Sequence, residues 1–123
     1  MPRFPKSARL RTRREFLKVQ DGKDSVQVSA ACLLGLALPN GTPQARLGLT
    51  VSSKVGNAVT RNRIRRQLRE WFRTHIEELP KGHDVVIIAR SSAASATAHE
   101  LAAAFARVAQ LLSRKVGSSR GVA

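Results

Sequence analysis

The sequence predicts a single α/β domain. Strand-like and helix-like patterns alternate along it. Its 123 residues suffice for one modest core and no second. Neither repeats nor long linkers interrupt the pattern. Residues 1–8 read as a flexible basic arm, because Pro2 and Pro5 discourage regular structure. Residues 9–20 read as a short helix with Leu10, Phe16, Leu17 and Val19 as its apolar members and Gly22 after its end. Residues 26–38 are β-branched and apolar and read as one long strand. Pro39-Asn40-Gly41-Thr42-Pro43 is a dense turn signal. Residues 45–52 alternate, with Leu47, Leu49 and Val51 pointing one way and Arg46, Gly48, Thr50 and Ser52 the other. The two strands are therefore expected to form an antiparallel hairpin. Its second face, small, polar and basic, is expected to be open to a ligand.

A helix is expected over about 57–78, with Asn57 as its N-cap and Pro80 and Gly82 as its stop. His83-Asp84 is expected in a turn leading into a strand. Asp84–Ala89 is almost wholly apolar, which suits a strand buried on both faces and not an edge. Thr97 and Glu100 have capping-box spacing and open a last helix. Its stripe Leu101, Phe105, Val108 and Leu112, flanked by Ala104 and Leu111, faces the core at 3.6-residue spacing. The domain is expected to span 9–115, and residues 116–123 to form a loose tail.

Charge narrows the function. There are 22 Lys+Arg against 8 Asp+Glu, a formal net charge of +14. That much self-repulsion in one small domain favours a polyanionic partner, and nucleic acid leads. Arg dominates the cations, and its planar fork matches phosphate oxygens. The basic helix lacks the broad apolar face that would insert into a membrane. The chain shows neither a signal core nor an apolar run near the roughly 20 residues that span a bilayer. Its single cysteine, Cys32, cannot pair internally, so a buried thiol in a reducing compartment is expected. Asn40-Gly41-Thr42 fits a glycosylation pattern, but reads as a turn in this setting.

The basic charge is densest from Lys54 to Glu70, in the run KVGNAVTRNRIRRQLRE. Turning ~100° per residue, the helix separates Ile64, Leu68, Trp71, Phe72, His75 and Leu79 from Asn62, Arg65, Arg66, Arg69 and Arg73. The first set is a core face and the second a basic ridge, with Glu70 off its edge. Arg61 lies in the first turn. With Lys54 and the Gly56-Asn57 backbone it could surround a phosphate at the helix N-terminus.

A face built only for solubility would mix signs and pair Glu with Lys. Catalytic chemistry is not legible. Glu77 and Glu78 diverge by ~100° on a helix, and His75, His83 and His99 are scattered, with His75 expected as a satisfied core histidine. No nucleophilic triad, convergent carboxylate set or nucleotide loop is present. The polypeptide reads as a binder.

The Lys54–Glu70 run resembles the signature of the bacterial ribonuclease P protein component family, with Arg61-Asn62-Arg63 as that family's RNR motif. Arg9-Leu10 with Glu15-Phe16, Arg46–Ser52 and Asp84–Arg90 are similar to the family pattern in the same order. The resemblance covers about residues 9–115. It implies a single-domain α/β sandwich with a central, mostly antiparallel sheet of about four strands and three helices. The basic helix would join two parallel strands by a left-handed crossover, against the usual hand.

It implies two partners, the ribonuclease P catalytic RNA and precursor tRNA. Mg²⁺ held mainly by the RNA would carry the chemistry, with no catalytic residue or metal ligand in the protein. Lys54, Asn57, Arg61, Asn62, Arg63, Arg65, Arg66 and Arg69 would face the catalytic RNA. Phe16, Lys18, Arg46, Thr50 and Ser52 would line a cleft for the single-stranded 5′ leader of precursor tRNA. Many relatives carry a second aromatic one turn after Phe16, where this chain has Gln20. Leader stacking is then expected to be weaker, or replaced by hydrogen bonds. A cytoplasmic location and no obligate protein partner are expected. The alternatives are a ribosomal or other structural RNA-binding protein, a protein-only ribonuclease and a DNA-binding helix-turn-helix module. The strands, and the lack of a partner helix before residue 57, weigh against the last.

Overall fold

The computed structural model describes residues 25–120. The expected arm over 1–8 and helix over 9–20, with Phe16, Lys18 and Gln20, lie outside them. The described residues form four strands and two α-helices. The strands are β1 (Val26–Ala30), β2 (Leu33–Pro39), β3 (Arg46–Thr50) and β4 (His83–Ala89). The helices are α1 (Ala58–His75) and α2 (Ala98–Arg120). Short 3₁₀ turns follow α1 at Ile76–Glu78 and β4 at Ser91–Ser95. The sheet order is β1-β2-β4-β3. The β1–β2 and β2–β4 pairs are antiparallel, and β3–β4 is parallel. The sheet is thus mixed and mostly antiparallel, with β4 central as its apolar run predicts.

The hairpin lies elsewhere than expected. Residues 26–38 are two strands folded at Ala31-Cys32, and they pair with each other. Ala31 takes φ 50°, a left-handed value uncommon for a residue with a Cβ, so no Gly or Asn marks the turn. The Asn40 turn does not return the chain beside β2. It leads to β3, and β4 later inserts between the two. The expected strand over 45–52 is also shorter, and Ser52 lies in the following loop.

The Asn40 turn is held by its own side chain. Asn40 Oδ1 accepts from the Thr42 N–H at 2.8 Å, and Asn40 Nδ2 donates to the Gln44 carbonyl at 3.0 Å. His83 and Asp84 are the first residues of β4 and not a turn. At the other end of the chain α2 continues to Arg120, past the expected start of a tail, and Val116 is still buried.

Both helices cover one face of the sheet. Ile64, Leu68 and Phe72 of α1 meet Leu101, Phe105, Val108 and Leu112 of α2 over Leu33, Leu47, Val85 and Ile87. Fully burying each such side chain contributes about 1.5–3 kcal/mol. Gly35 lets α2 approach closely, since a Cβ there would fall 2.4 Å from Val108 Cγ1. Thr97 and Glu100 form the expected capping box, with bonds of 2.8 and 3.1 Å. The hydrogen bonds from Thr97 hold the Glu100 carboxyl below its ordinary range.

The other face of the sheet runs in rows. One is Leu38–Asp84–Arg46, the next Leu36–Val86–Gly48, the last Leu34–Ile88–Thr50. Its middle is therefore apolar, with Leu36, Leu38 and Val86 buried and Leu34 and Ile88 packed on them. The small, polar and basic face expected from residues 45–52 is confined to the β3 edge. The alternation within one strand carries no information on what its neighbours bring to the face.

Candidate nucleic-acid interface

The loop from β3 to α1 is a tight, polar rim. Thr50 is half-buried at the end of β3, and Ser52, Lys54 and Asn57 are exposed. Val55 is buried, and its N–H donates to the Ser52 carbonyl at 3.0 Å, which anchors the loop. Asn57 caps α1 from an extended conformation, and its Oδ1 accepts from the Thr60 N–H at 2.9 Å. The first turn of α1 carries no acid. Its positive dipole end is therefore left for an external anion.

The arginines of the motif divide into two groups. Arg61, Arg63 and Arg65 are half-buried and bond to backbone carbonyls. Arg61 Nε donates to the Gly56 carbonyl at 3.2 Å. Arg63 reaches the Ala94 carbonyl at 3.0 Å and the Ala96 carbonyl at 3.3 Å. Arg65 reaches the Val51 carbonyl at 3.3 Å and Asn62 Oδ1 at 3.4 Å. Asn62, Arg66 and Arg69 are exposed. Arg66 and Lys54 make no side-chain hydrogen bond to another described residue. Asn62, Arg65, Arg66, Arg69, Glu70 and Arg73 line one shallow groove of about 410 Å³.

Glu70 is thus a wall of the groove rather than beyond its edge. It is ion-paired with Arg73, whose hydrogen bond holds the Glu70 carboxyl below the usual carboxylate range. The ridge is therefore not free of acid, and its uncompensated part lies toward the N-terminal end of α1.

On the sheet face, Arg46 donates to Asp84 through Nε and Nη2, each at 2.7 Å. Asp84 is 6% exposed and also accepts from Asn40 Nδ2 at 2.9 Å. The cation expected to meet a leader is thus fixed by an internal carboxylate, while Thr50 and Ser52 lie at the other end of β3. The structure adds to the site Arg90, the last residue of the Asp84–Arg90 segment and not among the expected contact residues. It is exposed at the carboxyl end of β4, beside the carboxyl end of β3, and its N–H donates to the Cys32 carbonyl at 2.8 Å. Ligands favour the carboxyl ends of neighbouring parallel strands. The clue in the sequence was a cation directly after an apolar run.

The remaining candidates are structural. His75 stacks on Trp71 at 4.3 Å and bonds the Trp71 carbonyl through Nδ1 at 2.9 Å. Trp71 stacks in turn on Phe105 at 4.5 Å. Cys32 is buried, which raises its thiol pKa and keeps it protonated.

The Ribonuclease P family model matches residues 4–114. The chain belongs to the ribonuclease P protein family. The ribonuclease P protein component of Desulfosudis oleivorans is 39% identical over 118 residues, covering 95% of each chain. That of Xanthomonas campestris is 45% identical over 107 residues, covering 86% of this chain and 70% of the relative. The ribonuclease P protein of Staphylococcus aureus superposes with a TM-score of 0.78 at 29% identity, covering 86% of this chain and 95% of that one. That of Thermotoga maritima gives 0.74 at 32% identity, covering 86% and 96%. The chain is accordingly a subunit of an endoribonuclease, and tRNA 5′ processing is the role of its family. Among the described residues no helix is long and apolar enough to cross a membrane.

Proposed function

We propose that the α1 surface holds the catalytic RNA of ribonuclease P while the β3 edge guides the 5′ leader of precursor tRNA. The observation that carries this is the acid-free, Asn57-capped start of α1, with Lys54 exposed in the loop before it and Arg66 exposed midway along the helix. Phosphates dock there on free N–H groups and fixed cations. The leader passes Thr50, Ser52 and Arg90, with Phe16 and Lys18 contributing from outside the described residues. Stacking on Phe16 would be worth about 1–3 kcal/mol per base. Arg46 forms the wall of this path, because Asp84 already holds its guanidinium. In this reading residues 9–20 supply a third helix, and α1 joins β3 to β4 by a left-handed crossover, as the family resemblance implies. The parallel pairing of β3 with β4 around α1 fits that path.

The RNA carries out the cleavage. Among the described residues no group of three His, Cys, Asp or Glu side chains converges. The ions would be held by RNA phosphates and would activate the attacking water. The protein lowers repulsion between two polyanions and lengthens the substrate contact. The work is cytoplasmic and needs no further protein.

The test compares holoenzyme with RNA alone in binding precursor and mature tRNA. The protein should favour the precursor, increasingly as the leader lengthens across the cleft. Equal preference with and without protein would refute the leader path.

A further inference from the structure

The RNR motif places Arg63 among the RNA-facing residues, yet its guanidinium points into the protein. It bonds the carbonyls of Ala94 and Ala96, 31 and 33 residues away in sequence, and reaches Gln67 Oε1 at 3.4 Å. The first carbonyl lies within the Ser91–Ser95 turn and the second directly after it, and that turn links β4 to α2. A planar fork can reach two carbonyls at once, and an ammonium on a flexible stem cannot reproduce that geometry. The segment is also tied to β2 by the Arg90 N–H, which donates to the Cys32 carbonyl, and Ala94 and Ala96 pack on the core. Ala93 is buried, its N–H bonds the Arg90 carbonyl at 2.9 Å, and Ser91, Ser92 and Ser95 are exposed.

From this geometry we infer that Arg63 is a positioning residue, a brace that fixes the Arg90–Ala96 segment against α1 and so sets the distance between the α1 ridge and the Arg90 rim. It makes no phosphate contact of its own. Its neighbours share the pattern more weakly, since Arg61 and Arg65 each reach one carbonyl. Of these three, Arg63 reaches farthest along the chain. The inference rests on the proposed RNA surface, and a ridge variant separates the two claims.

The experiment measures affinity for ribonuclease P RNA against salt for wild type, Arg63→Ala, Arg63→Lys and Arg66→Ala. Amide hydrogen exchange is followed on each free protein. A lost phosphate contact lowers the log–log slope by about 0.7–0.9. Arg66→Ala should show that drop. Arg63→Ala should keep the wild-type slope while exchange over residues 91–97 accelerates at least tenfold. Arg63→Lys should match Arg63→Ala in exchange, because charge without the fork does not restore the brace. A slope reduced in Arg63→Ala and restored in Arg63→Lys would overturn the inference and make Arg63 a phosphate ligand. Unchanged exchange over 91–97 would also overturn it. An unchanged slope in Arg66→Ala would refute the RNA surface itself.

Discussion

Single residues in this protein are decided by what they are already bonded to. Arg46 and Arg66 carry the same side chain, yet one is held by a buried carboxylate and the other is exposed. Removing one member of a buried ion pair leaves the other uncompensated, at about 3–5 kcal/mol when both are buried. The Arg46 side chain is 29% exposed, so Asp84→Ala should cost less, about 2–3 kcal/mol. Urea unfolding would measure it, and no change would mean that Arg46 is redirected to solvent. The sequence could not show this pair, because residues 46 and 84 meet only through the parallel register of β3 and β4. Nor does helical phase distinguish a guanidinium that points outward from one folded back onto a carbonyl.

Elements were legible where a local rule dominates. The Asn57 cap, the Thr97–Glu100 box and the apolar stripes of α1 and α2 follow from spacing of three or four residues. Pairing of strands was not, because continuous apolar runs carry no register and the β1–β2 turn lacks glycine. Two predictions belong at this scale. Thr97→Ala removes a cap and should destabilise the protein by about 0.5–2 kcal/mol in thermal unfolding. The box also has a pH signature. Glu100 is held below its ordinary value of 4.5 in the folded protein. Between those two values the unfolded chain binds more protons, so stability falls as pH drops from about 5 through the lowered value. Glu100→Gln removes the titrating carboxyl, so stability measured between about pH 5 and pH 3 should fall less steeply in that variant than in wild type. At the sheet–α2 contact, Gly35→Ala would press a methyl on Val108. Such overpacking costs about 1–3 kcal/mol, seen as a lower Tm, and an unchanged Tm would show that α2 can shift.

At the scale of the whole molecule, charge is segregated by the fold. The helices and sheet bury an ordinary core, while the carboxyl ends of β3 and β4 bring the α1 start, the Ser52–Asn57 loop and Arg90 to one end. The net charge of +14 already pointed to a polyanion, and the Lys54–Glu70 run to one family. The division of its arginines into bracing and outward groups came only from the structure. The account predicts a protein that positions RNA and leaves the cutting to it. The most direct measurement is precursor tRNA cleavage by ribonuclease P RNA at low Mg²⁺, with wild-type protein and with a Lys54→Ala, Arg66→Ala double variant. Wild type should restore cleavage, the double variant should lose at least tenfold at the same protein concentration, and protein without RNA should not cleave. Equal rescue by both proteins, or cleavage by the protein alone, would contradict the account.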